Sequence, residues 1–298
     1  MYKNIYLNTK KNANTKKKHN PQYKLVKIKQ PIYQKKTWIP RVVILDNDEC
    51  LGQFGIFSSF VSIAKMNYYL PINMDILKNS LIKYILATGC ARPYLPQLFQ
   101  LLKKLKQQNK IDKVVMYTSA PNKFSNGKKG YIYFLKDCLE TYCGTPGLYD
   151  MVLHRNNIKA RVSKCGATIK DIGNALLKNN NLRLKLFEKD KNIIKHVNFI
   201  SKRTLMVDDK PKNITKRNGD IVGVKPYVFP VNLNNIYNCI YSIPNMETKL
   251  RDKGYFDSLI KDVIDDLQKF RYSHYDIDRD LMKVCGAIIK KYYPEALK

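Results

Sequence analysis

Val42-Val43-Ile44-Leu45-Asp46-Asn47-Asp48-Glu49-Cys50-Leu51-Gly52 joins four aliphatic residues to an acidic turn. An aliphatic run without alternation reads as a strand buried on both faces, the habit of a parallel sheet covered by helices. Asp46 and Asp48, one residue apart, stand where that strand ends. Open α/β sheets bind ligands in the crevice outside the carboxyl ends of their strands, so this pair is placed for chemistry. A strand closed by an acidic turn is also common without any chemistry. The run alone therefore leaves a structural acid and a catalytic acid both open.

Two further strands end in the same way. Lys113-Val114-Val115-Met116-Tyr117 runs into Thr118-Ser119-Ala120, and Thr204-Leu205-Met206-Val207 runs into Asp208-Asp209-Lys210-Pro211-Lys212-Asn213. Helical patterns separate them. Asp75 to Leu86 is amphipathic, and Leu95, Leu98, Leu101, Leu102 and Leu105 recur at helical spacing. Tyr131 to Thr141 reads as a helix broken at Cys143-Gly144-Thr145-Pro146-Gly147. Phe256 to Phe270 and Leu281 to Tyr293 read as two more, the last stopped by Pro294. Strands alternating with helices predict an α/β fold with a mostly parallel central sheet flanked by helices.

If the three strands are neighbours, Asp46, Asp48, Thr118, Asp208 and Asp209 meet at one edge. Clustered carboxylates repel one another unless a cation neutralises them. Ligands that are all oxygen, without His or Cys, select a hard ion, and Mg²⁺ is the natural choice. Carboxylates around such an ion, beside a hydroxyl and a lysine, suit phosphoryl transfer with an Asp as nucleophile.

Composition bounds the rest. The 298 residues are ample for one large α/β domain with elaborations, or for two small ones, and carry a formal net charge of +30. Such a charge predicts attraction to a polyanion: nucleic acid, a phosphoprotein or an acidic membrane surface. A sequence saturated with Lys, Asn, Ile and Tyr fits an AT-rich coding genome equally well, and both readings stay open. Residues 1–38 contain eleven lysines and no acid, which reads as a flexible basic arm that either contacts an anionic partner or is simply solvated. The expected organisation is this arm, a catalytic domain over 39–245, and a helical extension over 246–298 packed on it. The seven cysteines (Cys50, Cys90, Cys138, Cys143, Cys165, Cys239 and Cys285) are odd in number and form no Cys-x-x-Cys pair. That argues against a zinc site and a disulfide framework. No apolar stretch is long enough to span a bilayer, and no secretory h-region is visible. The expectation is a soluble intracellular protein, of cytoplasm or nucleus and not secreted; its oligomeric state is not legible.

Taken in order, these motifs resemble the haloacid-dehalogenase (HAD) superfamily of phosphatases. Within it they are similar to the FCP/SCP branch, which acts on the C-terminal domain of RNA polymerase II. That branch carries Asp-x-Asp-Glu-Thr-Leu, where this chain has Asp46-Asn47-Asp48-Glu49-Cys50-Leu51. An Arg-Pro-Gly-like segment corresponds to Arg92-Pro93-Tyr94, an aromatic-Thr-Ala-like run to Tyr117-Thr118-Ser119-Ala120, and a Lys-Asp-Leu segment to Ile169-Lys170-Asp171-Ile172. The last motif, Asp-Asp or Asp-Asn with Pro and Asn following, corresponds to Val207 through Asn213. The match runs from about residue 41 to 230.

The resemblance implies a HAD-like Rossmannoid fold without a large cap domain and an Mg²⁺-dependent phosphomonoester hydrolase. It implies Asp46 as nucleophile and metal ligand, and Asp48 as general acid and then base, with its backbone carbonyl on the metal. Thr118 would hold a phosphoryl oxygen, Lys170 would neutralise the transferred group, and Asp208 and Asp209 would serve the metal. Lys189, Lys191 and Lys202 are alternatives to Lys170, because the stretch from Lys170 to Asp208 is long for the branch and suggests an insertion around Asn179 to Phe199. Cys50 replaces a usual Thr or Val and is expected only to support the loop, and Asn47 is expected to hydrogen-bond the turn. The implied substrate is a phosphorylated Ser/Thr protein. A polynucleotide terminus bound through the basic arm and surface is one rival, and a catalytically silent HAD-fold binding module is another.

Overall fold

In a computed structural model the described residues are 40–55, 57, 72–120, 130–155, 161–162, 168–169, 203–211, 219–228, 232–252, 254, 256–258, 260–261 and 278–298. Contacts divide the chain into Met1–Thr37 and Trp38–Lys298, and every described residue lies in the second unit.

Its centre is a five-stranded sheet in the order β3-β2-β1-β6-β7, all pairs parallel. The strands are β1 (Val42–Leu45), β2 (Lys113–Tyr117), β3 (Met151–Leu153), β6 (Thr204–Asp208) and β7 (Asp220–Gly223). Between β3 and β6 lies a separate antiparallel pair, β4 (Arg161–Val162) with β5 (Thr168–Ile169). β1 is buried along its whole length, as its unbroken aliphatic run predicts for a central parallel strand. From β1 the chain goes to β2 and β3 on one side, then returns to β6 beside β1 and leaves for β7 on the other. The loops after β1 and β6 therefore diverge, and the crevice of an open α/β sheet opens at that switch point.

The helices expected near Asp75 to Leu86, Leu95 to Leu105, Tyr131 to Thr141 and Leu281 to Tyr293 form there, the first passing partway into a π-helix. α1 (Met74–Leu81) starts at Asn73, whose side chain accepts from the Asp75 and Ile76 amides at 2.9 and 3.4 Å. It continues into a π-helical stretch, Ile82–Cys90, which ends beyond Gly89 at φ 125°. α2 (Leu95–Gln107) buries Leu95, Leu98, Phe99, Leu102 and Leu105. α3 (Tyr131–Tyr142) ends at the predicted break, where the buried Glu140 carboxylate accepts from the Gly147 and Tyr149 amides at 2.9 and 2.8 Å. α4 (Leu233–Tyr241) and α5 (Met246–Asp252) follow the sheet.

The last long helix, α6 (Asp280–Tyr292), buries Leu281, Val284, Ile288 and Tyr292 and packs on α2. The Tyr292 hydroxyl lies 2.9 Å from the Val42 carbonyl and 3.0 Å from the Arg203 carbonyl, beside the starts of β1 and β6. A short 3₁₀ turn, Pro294–Leu297, follows. The expected helix from Phe256 to Phe270 lies largely outside the described residues, as do the basic arm and the region from Asn179 to Phe199. Among the described residues six cysteines are free thiols, five of them buried, and no helix is long and apolar enough to cross a membrane.

Candidate active site

Strand register brings the predicted acids level with one another. Leu45 pairs with Met116 on one side and Val207 on the other, so Asp46 emerges level with Tyr117 and Asp208. The Asp46 amide continues the ladder by donating to the Val207 carbonyl at 2.9 Å. Asn47, Thr118 and Asp209 occupy the next level. Among the described residues, Asp46, Asp208 and Asp209 each offer a carboxylate oxygen, and these oxygens lie within 4.8 Å of one another. All three residues are buried, at 5, 1 and 7 % exposure.

This donor set suits a hard divalent cation. It is all oxygen and carries three formal negative charges at a site shielded from water, where like charges are costly without a counterion. Asp209 Oδ2 is also buried, and it already faces a cation of the chain itself. The Lys210 ammonium stands 3.2 Å from that oxygen as an ion pair, and it is shared with Glu49 Oε2 at 2.8 Å. Burial works against the charged form of Lys210, yet its hydrogen bond to Glu49 and the charge of Asp209 hold the ammonium well above its ordinary pKa. The Asp208 Oδ1 accepts from the Lys210 amide at 2.7 Å, which turns the chain sharply after β6.

Asp48 stands apart from the three clustered acids. It is exposed as a residue, and its Oδ1 accepts from the Phe54 amide at 3.1 Å. Desolvation by the protein packed around its carboxyl is the largest influence and lifts its pKa above the usual carboxylate range, with Glu49 and Asp209 adding to the effect. The Phe54 amide and Lys210 oppose the rise. Thr118 is buried; its amide donates to the Leu153 carbonyl at 2.9 Å and its Oγ1 accepts from the Ala120 amide at 3.1 Å. Accepting there leaves the hydroxyl proton as a donor.

The loop after Asp46 is tightly wound. Glu49 adopts φ 60°, the Leu51 amide donates to the Asn47 carbonyl at 2.9 Å, and the Glu49 amide donates to the Gly52 carbonyl at 2.8 Å. The Asn47 main-chain carbonyl closes the turn, and its side-chain Oδ1 is buried and accepts no hydrogen bond. Cys50 is a buried free thiol within this loop, in keeping with a packing role.

Lys170 and its alternatives Lys189, Lys191 and Lys202 lie outside the described residues, and so does Asn213. Lys210 was not singled out from the sequence, although its place directly after the Asp208-Asp209 pair was a usable signal: a lysine there can reach a neighbouring carboxylate. Arg92 was noted only as part of a motif, with nothing to mark it as buried. The chain matches no protein-family model and no curated protein.

Proposed function

We propose that this chain is an Mg²⁺-dependent phosphomonoester hydrolase that works through an aspartyl-phosphate, a protein Ser/Thr phosphatase of the FCP/SCP type in the HAD superfamily. The observation that carries the reading is the convergence of Asp46, Asp208 and Asp209 at the carboxyl edge of a parallel sheet, one strand from Thr118. A HAD-like fold without a large cap belongs to the same reading. In support, the described part of the interval from Gly52 to Arg92 is chiefly α1 and its π-helical continuation; in this reading a protein loop can approach the site.

Mg²⁺ held by Asp46, Asp208 and Asp209, with the Asp48 carbonyl, would neutralise charge on the phosphoryl oxygens. Asp46 has two carboxylate oxygens, so one would be free to hold the ion while the other attacks phosphorus. The bond from phosphorus to the serine or threonine oxygen breaks, and Asp48 gives its proton to that oxygen. Water then attacks the aspartyl-phosphate and passes a proton back to Asp48. The Asp46–phosphorus bond breaks, and inorganic phosphate leaves. Thr118 donates its hydroxyl proton to a phosphoryl oxygen throughout. Lys170 supplies the remaining positive charge in this reading.

The net charge of +30 favours an acidic or multiply phosphorylated protein segment, and equally a polynucleotide terminus as second reading. Hydrolysis of a phosphoserine peptide and of a 3′-phosphorylated oligonucleotide, compared on the same protein, separates the two. Faster turnover of the peptide is expected, and hydrolysis of the oligonucleotide alone would move the assignment to nucleic-acid ends. Folded protein inactive on both would point to the binding module.

A further inference from the structure

Arg92 has a side chain only 1 % exposed. A guanidinium so removed from water is strongly unfavourable unless it is paired with carboxylates and hydrogen-bonded. Here its Nε donates to Asp278 Oδ2 at 2.7 Å, its Nη2 to Asp280 Oδ2 at 3.2 Å, and its Nη1 to the Cys50 carbonyl at 2.9 Å. The Arg92 amide donates to the Leu51 carbonyl at 2.9 Å. The Tyr227 ring lies 5.5 Å from the guanidinium carbon, and the Tyr227 amide donates to the Glu49 carbonyl at 2.7 Å. Three consecutive carbonyls of the acidic loop, those of Glu49, Cys50 and Leu51, are thus held by Tyr227 and Arg92.

The carboxylates that face Arg92 come from the start of α6. Asp278 Oδ1 also accepts from the Asp280 amide at 3.0 Å, and Asp280 Oδ2 accepts from the Lys225 amide at 2.9 Å. Lys283 Nζ reaches Asp280 Oδ1 at 2.9 Å, which balances the second acid. Acids at a helix N-terminus are favoured by the helix dipole. The far end of α6 is pinned under β1 by Tyr292, so the helix spans the depth of the sheet, about 20 Å at 1.5 Å per residue.

We infer that Arg92 is a positioning residue through which Asp278 and Asp280 fix the loop carrying Asp48. This rests on the phosphatase reading for its catalytic consequence, though not for its geometry. The metal carboxylates are placed by the register of β1 and β6, whereas Asp48 depends on the loop. Loosening the clamp therefore impairs proton transfer to the leaving group while the carboxylates of Asp46, Asp208 and Asp209 stay in place. Only a planar guanidinium reaches two carboxylates and a carbonyl together, so lysine does not replace it.

The test uses the full chain carrying Arg92→Lys, with Asp280→Asn as a milder second variant if the first does not fold. Hydrogen exchange of the Glu49, Leu51 and Gln53 amides is expected to speed up about tenfold or more, while the Val43–Leu45 amides keep their protection. Activity is read on two esters, because a poor alkoxide leaving group needs the acid more than para-nitrophenolate does. The kcat for a phosphoserine peptide is expected to fall about tenfold further than that for para-nitrophenyl phosphate, each read at saturating Mg²⁺. Unchanged loop exchange overturns the clamp. Faster exchange with an unchanged ratio between the esters overturns the positioning of Asp48. If the unsubstituted protein hydrolyses neither ester, the phosphatase reading fails on its own, and exchange alone judges the clamp.

Discussion

Gly52 closes the acidic loop at a point where no side chain fits: a Cβ there would lie 2.4 Å from the Cys90 carbonyl oxygen and 2.6 Å from the Phe54 ring. Gly52→Ala must push the loop away from the end of the π-helical stretch. We expect it to cost about 1–3 kcal/mol, the range for forced overpacking, measured as a lower urea midpoint. Tyr94 is a second constrained position, at φ 65° before α2, where the resembled motif carries Gly. A bulky residue tolerates the left-handed region only when its surroundings hold it, and Tyr94 is packed against the core. At this scale the sequence was legible where chemistry and strand end coincide. Asp46 and Asp208 directly follow an aliphatic run, Thr118 follows Tyr117 and Asp209 follows Asp208, and strand register places these ends at adjacent levels. Asn47, Lys210 and Arg92 were not legible in the same way, because their roles depend on which side chain turns inward.

The elements are tied together by polar clamps at both ends of the sheet. At the amino end, Asp112 Oδ2 accepts from the Arg41 amide at 2.7 Å and from its Nε at 2.9 Å, joining the starts of β1 and β2. Burial raises the Asp112 pKa, but the hydrogen bonds and charge of Arg41 outweigh it and hold the carboxyl below its ordinary value. A carboxyl with a depressed folded pKa gives stability that is fully present above its unfolded pKa, about 3.9. That stability is lost as pH falls through the folded value. The urea stability of the unsubstituted protein should therefore exceed that of Asp112→Asn by a constant margin from about pH 5 to 8 and converge with it below about pH 4. Tyr292→Phe, which removes the hydroxyl under β1 and β6, should cost about 0.5–1.5 kcal/mol in the same assay. β1, β2 and β6 were readable as continuous apolar runs. β3 is only three residues long, and the solvent-touched β7 carries Asp220 and Gly223; neither has a pattern long enough to separate a strand from a loop. The π-helical stretch was equally hidden, since its residues follow the same apolar periodicity as the α-helix they extend.

For the molecule as a whole, the buried acidic centre sits inside a chain whose formal net charge is +30. Asp46, Asp208 and Asp209 are gathered at one sheet edge, while the excess of lysine and arginine over acid sets a positive long-range field. A cation bound by the folded chain alone must stabilise it. Mg²⁺ at a hundredfold its Kd should raise the unfolding free energy by about 2.7 kcal/mol, seen as a higher Tm that EDTA reverses and that Asp208→Asn does not show. The hydrolysis of para-nitrophenyl phosphate tests the central claim most directly, run with Mg²⁺, with EDTA, and with Asp46→Asn. We predict turnover that EDTA abolishes and that Asp46→Asn lowers by about three orders of magnitude or more. Turnover that persists in folded Asp46→Asn, or that proceeds unchanged in EDTA, would contradict the account.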